Sequence, residues 1–131
     1  MRRRLLPLLV TGLLLAVAVV AHAQTPSSEE QLAEFDKGSQ TLDVSSYPEE
    51  MQQKYQLFAE RCSKCHTLAR PINSDYALEE EWSRYVKRMM RKPGSGIAPK
   101  EAKQIFEFLA YDSSIRKKDL IEKKKADQGD G

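Results

Sequence analysis

The chain has 131 residues, of which 31% are charged and 40% hydrophobic, and a formal net charge of +2. That length suits one domain. No basic stripe interleaved with aromatics is present, which argues against a nucleic-acid partner.

The first segment is not expected to belong to the fold. Met1-Arg-Arg-Arg4 is a short basic head, Leu5 to Ala21 is uncharged and almost wholly apolar, and Ala21-His22-Ala23 sets small residues before polar Gln24. This is the three-part pattern of a secretory signal, so residues 1–23 are expected to be cleaved on export to the periplasm. The alternative is an uncleaved anchor that leaves the domain facing the periplasm. Its apolar run of 17 residues is short against the roughly 20 needed to cross a bilayer. Cleavage removes three basic residues and no acid, so the net charge moves from +2 to −1. The charge is also uneven. Gln24 to Glu60 holds eight acids and two bases, whereas Arg61 to Gly131 holds sixteen bases and eleven acids.

Residues 24–47 read as a polar, acidic, flexible leader with a short helical turn near Ser28–Phe35. Ser46 to Cys62 reads as a helix, with Pro48 in its first turn and Glu49 and Glu50 complementing its positive end. Met51, Tyr55, Phe58, Ala59 and Cys62 recur at helical spacing and bring Cys62 to the helix end. Thr67 to Ala77 has turn chemistry at Arg70-Pro71 and Asn73-Ser74-Asp75 and reads as a loop. Leu78 to Arg91 is the second clear helix. Ser74 or Asp75 is its expected cap, three glutamates load its start, and Arg84, Lys87, Arg88, Arg91 and Lys92 load its end. Leu78, Trp82, Tyr85, Val86 and Met89 form one face, with Met90 at the edge. Pro93-Gly94-Ser95-Gly96 stops it. Pro99 to Tyr111 is the third helix, with Ala102, Ile105, Phe106, Leu109 and Ala110 as its expected buried face. Residues 113–131 form a charged tail, frayed at its end. The fold class is all-α.

The two cysteines and the histidine left after cleavage stand together in Arg61-Cys-Ser-Lys-Cys-His-Thr67. A structural zinc site needs four ligands, usually as two pairs, and the second pair is missing. A thioredoxin-like dithiol opens a helix after a strand, whereas this pair closes a helix. A disulfide across so short a loop would barely constrain the unfolded chain. Covalent haem c uses all three side chains: Cys62 and Cys65 add to the two vinyl groups, and His66 is the proximal iron ligand. One haem c is therefore the expected cofactor. Phe58, Trp82, Tyr85, Ile105, Phe106 and Leu109 are the large side chains expected around it, and Arg70 is a candidate partner for a propionate.

One histidine cannot supply two axial ligands, so a methionine is the expected distal ligand. Met51 starts the helix that ends in Cys62 and is poorly placed. Helical phase puts Met89 at the centre of the Trp82 face and Met90 at its edge, which makes Met89 the first choice and Met90 the second.

Phe58-x-x-x-Cys62-Ser-Lys-Cys65-His66-Thr67, then Trp82-x-x-x-Val86-x-Arg88-Met89, then Ile97-x-x-x-Glu101-Ala102-x-x-Ile105-x-x-Phe108-Leu109 resembles a small monohaem class I cytochrome c domain. The resemblance is to the bacterial branch with this tryptophan-to-methionine spacing, and it covers residues 48–112. It implies a cytochrome c-like fold of three to four main helices around one haem, with the first and last crossing. It also implies haem attachment at Cys62 and Cys65 and axial ligation by His66 and Met89.

The expected function is electron transport by an exported single-electron carrier, not an enzyme, with redox proteins as partners. Two alternatives stand beside it. One is a five-coordinate gas-binding or sensor haem protein, and the other a haem electron-transfer subunit of a larger dehydrogenase or oxidase.

Overall fold

Residues 27–129 are described by a computed structural model; the expected signal, residues 1–23, lies outside them. Six helices follow in order: α1 (Ser28–Phe35), α2 (Glu49–Cys62), α3 (Ala69–Asn73), α4 (Glu79–Met90), α5 (Pro99–Arg116) and α6 (Lys118–Gly129). No strand occurs among the described residues, as expected for an all-α domain. None of these helices is long and apolar enough to cross a membrane.

Helix α2 starts at Glu49, not at Ser46 as expected. Pro48 is its N-cap, with φ −53° and ψ 146°, and is not inside the first turn. The segment expected as a loop contains α3, with Arg70-Pro71 inside it. Pro71 falls in the first turn, where a missing N–H has no intrahelical acceptor to lose, so proline does not break the helix there.

Helix α4 is capped differently from the expectation. Neither Ser74 nor Asp75 caps it; the Glu81 carboxylate reaches back and accepts the N–H groups of Ala77 and Leu78, each at 2.9 Å. Beyond the helix, Gly94 and Gly96 take φ of +76° and +60°, a left-handed geometry that glycine adopts without steric cost.

Helix α5 begins with Pro99 as expected but runs on to Arg116. It packs against both α2 and α4, so it buries more than one face. Ala102, Ile105 and Leu109 are buried as expected, but Phe108 is completely buried and Phe106 is only partly so. The Phe108 ring meets those of Tyr55 and Phe58 on α2, at 5.3 and 5.5 Å between centroids.

The extension of α5 is anchored by buried polar groups. The Tyr47 hydroxyl donates to Asp112 at 2.9 Å, the Arg116 guanidinium donates to both oxygens of the same carboxylate, and Trp82 Nε1 donates to Ser113 Oγ at 2.8 Å. Burial, together with the charge of Asp112, pushes the Tyr47 phenol up to about 12. Next along the chain, Lys117 Nζ donates to the carbonyls of Ser74 and Tyr76 and lies 5.1 Å from the centroid of the Trp82 ring. Lys124 on α6 adds a bond to the Asp75 carbonyl and an ion pair with Glu81.

Asp112→Ala would strand the Tyr47 hydroxyl and the Arg116 guanidinium together. The expected loss is about 2–4 kcal/mol, read as a lower urea midpoint with an unchanged slope. A pH effect follows from Lys117. Burial, with Arg116 beside it, lowers this ammonium to about 8. Between there and the 10.5 of an ordinary lysine, the unfolded chain holds a proton that the native chain has released. Unfolding free energy is therefore expected to rise with pH across that window, by about 1–3 kcal/mol. Urea titrations at several pH values should show this rise in the native protein and not in Lys117→Met.

Candidate functional site

Helix α2 is amphipathic, and its buried face ends in Phe58 and then Cys62. The chain leaves the helix through Ser63, turns at Cys65, and enters α3 two residues after Thr67. Cys62 is therefore buried and Cys65 exposed, and both are free thiols. Burial pushes the Cys62 thiol up to about 12. A thiol so far above neutral pH, at the wrong end of a helix for stabilising an anion, is a poor redox nucleophile. Among the described residues, no three His, Cys, Asp or Glu side chains converge as a metal-holding group, so a zinc site lacks its donors.

His66 follows with a defined tautomer. Its Nδ1 lies 2.9 Å from the Thr67 carbonyl oxygen, which can only accept, so Nδ1 carries the proton. In the neutral ring this leaves the lone pair on Nε2, the state a metal-ligating imidazole needs.

A cavity of about 470 Å³ is walled by His66, Arg70, Tyr76, Tyr85, Arg88 and Met89, together with residues of α1. The volume lies within the roughly 300–1,000 Å³ of cofactor sites. His66 and Met89, expected as a ligand pair from positions 23 residues apart in the sequence, thus line one space. Met90 lines a separate groove between α4 and α5, with Val86, Ala102 and Phe106. Consecutive residues on a helix point about 100° apart, so α4 sends its two methionines to different places.

Tyr85 stands one helical turn before Met89 and is 5% exposed. Its hydroxyl is buried without a hydrogen-bond partner. Burial raises its pKa, with a smaller contribution from Cys62; neither Cys62 nor Cys65 is itself among the residues that line the cavity. A buried donor without a partner is uncommon and marks a place where a bound group can accept. An imidazole with a free Nε2, a thioether and an unpartnered hydroxyl, all on one cavity of cofactor size, fit the haem that the cysteine–histidine motif implies.

The other expected site residues are distributed differently. Phe58 and Trp82 are in the core, against Phe108 and Ser113 respectively, and are not among the residues that line this cavity. Arg70 does line it, but its guanidinium donates to both carboxylate oxygens of Asp36. That interaction holds the Asp36 carboxyl below the ordinary range. Arg88 and Lys92 are further cations on the cavity; Arg88 donates to the Tyr76 hydroxyl at 3.2 Å and sits 5.5 Å from the Tyr85 ring centroid. The sequence shows these two only as positive charges closing α4. The contribution of α1 has no signal beyond its short helical pattern.

Compared with known protein families, curated proteins and solved structures, the chain matches none.

Proposed function

We propose that the chain is an exported c-type cytochrome of the class I kind, a single-electron carrier of the periplasm. Cys62 and Cys65 would hold one haem covalently, and His66 and Met89 would ligate its iron. The observation that carries this reading is that His66 and Met89 line one cavity of cofactor size while Met90 faces another. When bound, haem supplies a one-electron Fe(II)/Fe(III) couple.

The chain's own residues tune and protect that couple. The Thr67 carbonyl orients the His66 ring and raises its basicity. The Met89 thioether is a soft ligand, and Met/His ligation favours a higher reduction potential than two imidazoles would. The Tyr85 hydroxyl offers a hydrogen bond inside the cavity, while Arg88 and Lys92 offer positive charge to carboxylates at its edge. If His66 and Met89 both held the iron, no position on it would be left for a substrate, which favours electron transfer over turnover. Redox proteins are the partners this reading requires.

Visible spectroscopy on the purified protein tests the assignment. Met89→Ala is expected to abolish the weak long-wavelength charge-transfer band of ferric iron–thioether ligation and to lower the midpoint potential by on the order of 0.2 V, within the roughly 0.8 V that axial ligands span. Met90→Ala should leave both in place. The opposite pattern would transfer the ligand role to Met90, and a high-spin spectrum in the unmutated protein would favour a five-coordinate sensor.

A further inference from the structure

Helix α1 lies outside residues 48–112, the stretch that resembles a haem domain, yet it supplies a wall of the cavity. Ser28, Gln31, Leu32 and Phe35 line it opposite α3 and α4 residues. The helix is well formed in itself: Ser27 caps it, with Glu30 reaching back to the Ser27 N–H at 2.7 Å. Its outward glutamates, Glu29, Glu30 and Glu34, are exposed.

It is nonetheless held lightly. None of its residues is buried, Leu32 remains 38% exposed, and α3 is the one helix it packs against among those described. Two devices fasten it. The first is the Asp36–Arg70 ion pair, about one-third exposed on each side. The second is the Asn73 carboxamide, whose Nδ2 donates to the Ala69 carbonyl of its own helix at 2.7 Å and shares its remaining hydrogen-bonding between the carbonyls of Phe35 at 3.2 Å and Ser39 at 3.0 Å. Gly38 lies so close beneath Asn73 that an added Cβ would overlap the carboxamide. Both fasteners grip α3, which begins three residues after His66. A segment with no buried side chain and two polar fasteners opens more easily than a core helix such as α2 or α5.

We propose that α1 is a detachable cover over the cavity shared by His66 and Met89, latched by Asp36 on Arg70 and by Asn73 on the chain after the helix. Opening this cover governs how fast small exogenous ligands reach the iron. The inference rests on the haem reading above. It assigns Arg70 to the latch instead of to a propionate, and it gives the acidic leader a task at the site.

The test uses the full haem-loaded protein in a Met89→Ala background, where a coordination position is open. Hydrogen exchange is followed by mass spectrometry over residues 28–35, 49–62 and 99–116, and imidazole binding to the ferric form by visible absorption. Asp36→Ala is expected to speed both α1 exchange and imidazole binding by about two- to fivefold, the range for an ion pair of this exposure. Gly38→Val, which displaces Asn73, should do the same through the other fastener. Exchange over 49–62 and 99–116 should not change in either. High salt should speed the parent and leave Asp36→Ala unaffected, because only the parent has an ion pair to screen. Two results would overturn the cover: α1 amides in the parent exchanging as fast as free chain, or faster α1 exchange with an unchanged imidazole rate. A protein that carries no haem would overturn the functional reading instead, and the exchange data would still decide the latch.

Discussion

The contact between Phe58 and Phe108 fixes where the rest of the molecule goes. Both rings are completely buried, with centroids 5.5 Å apart, and they join α2 to α5 across the centre of the core. Two fully buried aromatic side chains remove a large apolar area from water, and their tilted packing adds a directional term. Because Phe58 stands one turn before Cys62, this contact sets the depth and bearing of the α2 end. The exposed turn that holds Cys65 and the His66 ring beside it inherit that bearing. Arg61 strengthens the same crossing from its rim by pairing with Glu101 at the start of α5.

Around that crossing, polar groups do what apolar area alone does not. A chain this small has limited core, and hydrophobic packing tolerates sliding. The Asp112 carboxylate, with Tyr47 and Arg116, and the Ser113 hydroxyl, with Trp82, have directional partners that must be met in one register. They bind Tyr47, two residues before α2, the start of α4 and the end of α5 to one layer. Helix α4 is thereby set in rotation as well as in position, and rotation is what sends Met89 and Met90 into different spaces.

Much of this was legible in the sequence where local chemistry sufficed. The periods of α2 and α4, the proline opening α5 and the glycine stop after α4 depend on residues within a turn or two of each other. So does the separation of Met89 from Met90 onto different spaces, because helical phase is a local property. What was not legible depended on contacts between distant segments. Phe108 and Phe106 cannot be ranked until it is known that α5 faces two helices. Arg70-Pro71 reads as a turn until proline's place in a first turn is seen. Asp112 looks like the start of a surface tail until Tyr47, 65 positions earlier, supplies a buried donor. The contribution of α1 was invisible because its apolar residues, Leu32, Ala33 and Phe35, are too few to define a buried face over so short a helix.

The bonds from Lys117 and Lys124 bear on the order in which the molecule can be assembled. The carbonyls of Ser74, Asp75 and Tyr76 receive ammonium groups from 41 to 49 positions downstream. Contacts of such separation close late, after local helices have formed. As the chain emerges, the segment following the two thiols therefore stays pliable while α2 already presents them. On the proposed haem reading, attachment at the sulfurs would then meet a yielding surround, which the lysines stiffen only once the last third of the polypeptide has arrived.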